Sequence, residues 1–142
     1  MRTALLAALL LVSFFFGCLA NGLRKESVTI GTARIDAWVS DTQASRNQGL
    51  MNVQRIGENE GMIFVYDRPG MYRFWMKNTL IPLDLIFVSD NLTVISIQHM
   101  RPCVQDLCLL YEPPSEIMYA IEVNDGFTEI NNVMVGEQIS IG

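Results

Sequence analysis

Ala33-Arg34-Ile35-Asp36-Ala37-Trp38-Val39 is the stretch that decides the reading of this fold. Apolar residues hold positions 33, 35, 37 and 39, and Arg34, Asp36 and Trp38 fall between them. A period of two is the mark of a strand with one face on a core. Upstream, Val28 to Ile30 reads as a first strand. Downstream, Asp41 or Thr42 can cap a short helix over 43–48, and Gly49 fits its C-terminal stop. Leu50 and Met51 follow as an apolar plug. Met62 to Tyr66 is a short β-prone run. Asp67-Arg68-Pro69-Gly70 predicts a type II turn, because Pro fixes the first central dihedral and Gly permits the second. Met71 to Met76 then becomes the returning arm of a hairpin. Leu83 to Val88 and Leu92 to Gln98 are two further strands joined at Ser89-Asp90-Asn91. Met100 to Ser115 carries Pro102, Pro113 and Pro114 and reads as a long loop. Ile117 to Val123 is a strand broken by Asn124-Asp125-Gly126, and 133–136 and 138–141 read as extended. The expected fold is mainly β, α+β at most. It is a small single-domain antiparallel barrel or sandwich with one short helix near residues 42–48.

The chain has 142 residues, which suggests one domain. Arg2, the uncharged run Ala4 to Phe16 and the small residues after it have the pattern of a signal peptide over 1–20. That run is too short for a bilayer-spanning helix, which needs about 20 apolar residues. Phe15-Phe16-Gly17-Cys18 offers an alternative, a lipoprotein leader over 1–17 with Cys18 as the lipidated residue. Residues 21–26 read as a linker and 27–142 as one domain. The expected location is therefore the periplasm or cell envelope, with a membrane contact only through a lipid on Cys18.

The net charge is −5, and it becomes −6 once the leader with Arg2 is removed. An acidic chain without a basic run argues against a nucleic-acid partner. Cys103 and Cys108 remain as an even pair in an oxidising compartment, which favours a disulfide over a redox or metal pair. Their C-x4-C spacing has no second Cys or His pair beside it. His99 is the sole histidine, so a His-rich zinc site lacks support. Eight methionines are scattered among apolar neighbours, and core filling explains them better than copper. No metal or cofactor is expected, and a monomer is.

Phe74-Trp75-Met76-Lys77-Asn78-Thr79-Leu80-Ile81-Pro82-Leu83-Asp84 places a cation, an amide, a hydroxyl and a carboxylate between two apolar runs. Such a block reads as a loop that gathers its polar groups in one place. Lys77 can bind an anion, Asn78 can orient a carbonyl, and Asp84 can accept from a hydroxyl or amine. The bland explanation is a turn built by Asn78 and Thr79, with Asp84 ion-paired to Lys77 or Arg46. Arg46 on the short helix can hold a carboxylate through two parallel bonds, or be a solvated cation. Trp75 and Trp38 can line a groove or fill a core, and Tyr111 can cover the same groove. Glu122 interrupts the run 117–123. It either sits on a solvated face or points inward, where it needs Arg or Lys as partner.

Arg46-x-x-Gly49-Leu50-Met51, Gly61-Met62-x-Phe64, the block from Phe74 to Asp84, Pro102-Cys103 and Cys108-x-x-Tyr111 occur in this order. The sequence resembles the domain-of-unknown-function 192 family of small exported or lipid-anchored proteins over about Val28 to Gly142. The resemblance implies a compact, mostly β domain and no enzyme class. Gly126-Phe127-Thr128 differs from the helix-starting stretch that relatives carry there. Function is then expected to be that of an extracytoplasmic binding or accessory module for a small polar ligand, glycan or peptide. Its expected ligand residues are Arg46, Met51, Trp75, Lys77, Asn78, Thr79, Asp84 and Tyr111. No catalytic residue is assigned. The alternatives are a hydrolase or lyase acting on an envelope component, with Asp84 as acid/base and Lys77 stabilising an anion, and a purely structural scaffold.

Overall fold

The computed structural model describes residues 22–142, so the leader and Cys18 lie outside the described residues. Nine strands and two short helices follow one another. They are β1 (Lys25–Ile30), β2 (Ala33–Ser40), α1 (Gln43–Gln48), β3 (Glu60–Gly70), β4 (Phe74–Trp75), β5 (Leu83–Val88), β6 (Val94–Met100), β7 (Leu110–Tyr111), β8 (Ile117–Asn124), α2 (Phe127–Ile130) and β9 (Ile139–Ile141). The fold is mainly β, as expected.

Seven strands form one sheet in the order β6-β5-β8-β3-β2-β1-β9. The sheet curls until its edges meet at one end. There the Val94 N–H donates to Glu137 O at 2.9 Å, and the Gly136 and Ile139 N–H groups donate to Val94 O and Leu92 O at 2.8 Å. All sheet pairings are antiparallel except β2 with β3, which run parallel because α1 carries the chain over between them.

Strand alternation sorts the core into two clusters. Val28, Ile30, Ile35, Ile63, Ile86, Ile121 and Val123 fill the concave side. Met62, Phe64, Leu83, Leu85, Phe87 and Ala120 face the other side, where Leu50, Phe74 and Met76 pack onto them. A second sheet of two short strands, β4 with β7, belongs to this outer layer. Leu83–Val88 is buried along its whole length because both faces are covered.

Several expectations are corrected. The hairpin at 67–70 does not form. β3 runs on to Gly70, which pairs with Ile117 after a register shift beyond Val65, and β4 pairs with β7 instead. Gly70 lacks the positive φ that a type II turn requires at that position. Pro69 is accommodated where the ladder is already interrupted, which is where a residue without an N–H is tolerated. Residues 133–136 form no strand; 135–136 make a turn, and Gly136 has φ 95°. The stretch after Gly126 does form a helical turn, α2. β1 begins at Lys25, inside the expected linker, where Lys25 Nζ lies 3.1 Å from Asp36 and 2.8 Å from Glu60.

Candidate ligand-binding cleft

Glu122 lies on β8 between β3 and β5, opposite Met62 on one side and Leu85 on the other. The alternation that sends Ile121 and Val123 to the concave core sends Glu122 to the outer face. α1, the segment after β3, and β4 cover that face incompletely. A cleft of about 500 Å³ remains, lined by Glu122, Arg46, Tyr66, Tyr72, Trp75 and Thr79, among others.

Local chemistry places the wall residues. Thr42 caps α1, accepting from the Ser45 N–H at 3.1 Å while Ser45 Oγ accepts from the Thr42 N–H. Gly49 ends the helix at φ 48°, a left-handed value that favours glycine. Arg46 therefore falls in the last turn. Its Nη1 donates to Val65 O at 2.8 Å, and its guanidinium lies 5.1 Å from the Tyr66 ring centroid. Tyr72 stacks on Tyr66 with centroids 3.5 Å apart and rings within 7° of parallel. The Tyr72 hydroxyl donates to Arg68 O at 2.9 Å and ties the segment back on itself.

Burial sets the electrostatics. It pushes the Tyr66 phenol up to about 12, against the opposing pull of the Arg46 cation. Burial alone pushes the Glu122 carboxyl up to about 8. No hydrogen bond or ion pair among the described residues reaches that carboxyl, so the cationic partner expected for an inward Glu122 is missing. At neutral pH the group is thus a neutral acid with one O–H to donate.

Of the eight expected ligand residues, Arg46, Met51, Trp75 and Thr79 line the cleft. The other four lie elsewhere. Lys77 Nζ sits 5.5 Å from the Trp75 ring centroid, and residue 77 bridges to Cys103. Asn78 takes φ 55°, and its carbonyl accepts from the Asn52 N–H at 2.8 Å. The Thr79 N–H donates to Met76 O at 3.1 Å, so the turn reading of Asn78-Thr79 is realised as well. Tyr111 faces a separate hollow beside the Cys103–Cys108 disulfide, its hydroxyl accepting from the Arg101 N–H at 3.3 Å.

Asp84 pairs with neither Lys77 nor Arg46. It is fully buried and faces the concave side. Its Oδ2 accepts from the Thr128 N–H at 2.9 Å and from the Thr128 hydroxyl at 2.6 Å, and its Oδ1 lies 2.6 Å from His99 Nδ1. Asp84, His99 and Asp125 bring three potential metal-ligand atoms within 4.8 Å of one another. Both Asp84 oxygens are hydrogen-bonded within the protein.

Sequence reasoning left Glu122 outside the candidate ligand set. The signal was present, a carboxylate inside a strongly apolar strand, but its face depends on what covers β8.

Comparison with known proteins fits this fold. The pattern of the family DUF192, Uncharacterized ACR, matches residues 26–141. A crystal structure of a protein of unknown function from Novosphingobium aromaticivorans DSM 12444 superposes with a TM-score of 0.77 at 31% identity. It covers 84% of this chain and 87% of that one. A Sinorhizobium meliloti 1021 protein, described as a candidate transcription regulator, superposes with a TM-score of 0.76 at 23% identity, covering 84% of this chain and 95% of that one. No curated protein matches the sequence.

Proposed function

We propose that this chain, which belongs to the DUF192 family, is an extracytoplasmic binding module whose site is the cleft over β8. One observation carries the reading. Arg46 and Met51 from one stretch of sequence and Trp75 and Thr79 from another converge on a single recess with an aromatic wall. A concave site with apolar walls and a few polar groups is the usual form of a small-ligand pocket. The exported location rests on the leader pattern, and the Cys103–Cys108 disulfide is compatible with an oxidising compartment. The regulator description belongs to the Sinorhizobium protein. A chain of net charge −5 gives a nucleic-acid role no electrostatic support.

The test is nuclear magnetic resonance mapping with a panel of envelope glycans and peptides. Fragments that bind should shift the Arg46, Met51, Trp75 and Thr79 resonances, and Trp75→Ala should weaken them about tenfold. Binding that moves only residues near Tyr111 or Asp84 would overturn the assignment.

A second reading, a hydrolase or lyase, draws on Glu122, because an acid kept protonated at neutral pH is suited to proton donation. Asp84 has both oxygens hydrogen-bonded to Thr128 and His99 and lies outside the cleft. Turnover of an envelope substrate that is lost in Glu122→Gln with the fold intact would establish this reading.

A further inference from the structure

We infer that the ligand of the cleft is a carboxylate-bearing sugar, its carboxylate held by Arg46 and a ring hydroxyl accepting from Glu122. This rests on the reading of the cleft as the binding site.

Charge is the first argument. The lining holds Arg46, Arg68 and Arg73 against one fixed anion, the exposed Asp67. Arg73 is engaged with Glu112 at 3.1 Å. Arg46 uses Nη1 on Val65 O and no other side-chain hydrogen bond among the described residues, so most of its donor fork is free for a carboxylate. A recess that is cationic within an acidic chain selects an anion.

Shape and polarity are the second argument. Trp75 is 47% exposed beside Tyr72, so flat apolar faces are open to a ligand. Gln48, Asn47 and Thr79 bring amides and a hydroxyl to the same recess. A polyhydroxylated ring uses both kinds of surface, its C–H face on aromatic rings and its hydroxyls on amides.

The base of the cleft adds a condition. Glu122 shares the recess with Tyr66 from β3, Arg46 from α1 and Tyr72 from the following segment, while β5 meets it with apolar Leu85. Arg46 is the cation of this set, and it leaves the effect of burial on Glu122 unopposed. Protonated Glu122 donates to the ligand. Ionised Glu122 would place a second anion beneath an anionic guest.

Ligand-observed magnetic resonance on the intact domain tests the assignment with paired probes: glucuronate against glucose, and N-acetylmuramate against N-acetylglucosamine. At pH 6.5 at least one acid should bind about tenfold more tightly than its neutral partner, and which acid does so separates a uronate source from a muramate source. Arg46→Met should erase the difference, and Arg46→Lys should recover part of it. Wild-type affinity should fall about tenfold between pH 7 and 9, and Glu122→Gln should bind without that fall. Equal binding within both pairs would overturn the anion while leaving the cleft reading intact. Benzoate or glucose 6-phosphate binding as tightly as the acidic sugars would overturn the sugar or the carboxylate. Failure of all four sugars to bind would overturn the inference, and the wider glycan and peptide panel then decides the cleft reading separately.

Discussion

Asp84 and Glu122 sit on neighbouring strands one register step apart, Asp84 opposite Val123 and Glu122 opposite Leu85, so the sheet separates them onto opposite faces. Both are buried carboxyl groups. Asp84 is bonded by Thr128 and His99, whereas Glu122 has no protein partner among the described residues. The first is organised as structure and the second stands free in a recess, and different outcomes follow on substitution.

Glu122 makes stability fall as pH rises. Its folded value, about 8, lies above the ordinary 4.5. Below the ordinary value both states are protonated and burial carries no ionisation penalty. Between the two values the unfolded chain ionises first, so the folded state loses ground, by a few kcal/mol at about 1.4 kcal/mol per unit. Urea unfolding at pH 5 and pH 8 should show this drop in wild type and a much flatter response in Glu122→Gln. An unchanged slope would mean that Glu122 is not buried as an acid.

Asp84→Ala should cost about 3 kcal/mol, because it strands the Thr128 N–H and hydroxyl in the interior. Thr128→Val keeps the N–H bond and should cost only about 1–2 kcal/mol. His99→Ala should cost less again, since that side chain is 60% exposed. Denaturation midpoints of the three variants give the order directly.

How much of this was readable beforehand differs by element. Leu83–Val88 was legible because a short run, apolar but for Asp84 and bounded by turn residues, has few other uses. α1 was legible because Thr42 and Gly49 act within a few residues of themselves. The hairpin at 67–70 was misread because Pro-Gly suits an interrupted strand as well as a turn. The partners of Asp84 were hidden because the Asp84–His99 register is fixed by strand pairing, not by local sequence. Glu122 was hidden for a related reason. Alternation identifies its neighbours on the same face, but the cover over that face comes from α1 and β4, which are remote in the chain.

Gly61→Ala should be among the most damaging small substitutions. A Cβ there would collide with the backbone oxygen of Glu122 and press on Val123. Backbone cannot move aside as a flexible side chain can, so a loss of about 3 kcal/mol is expected. Any folded fraction should show an altered cleft, visible as changed Trp75 fluorescence.

Opening the Cys103–Cys108 bond should cost about 2 kcal/mol, because the loop it closes is short. The bridge borders the Tyr111 hollow rather than the cleft. A double Cys103→Ser, Cys108→Ser variant should therefore retain ligand affinity within about twofold while its melting midpoint falls.

The placement of Glu122 on β8 has a wider consequence. That strand is hydrogen-bonded on both flanks, by β5 and by β3. Interior strands of this kind open to solvent only with the whole domain. In the proposed binding role, the floor of the cleft is thus as rigid as anything in the molecule, and adaptation to different guests would fall to Arg46, Tyr72 and Trp75 around the entrance. Evolution of new specificity in this scaffold would proceed by exchanging those outer side chains above an unaltered foundation.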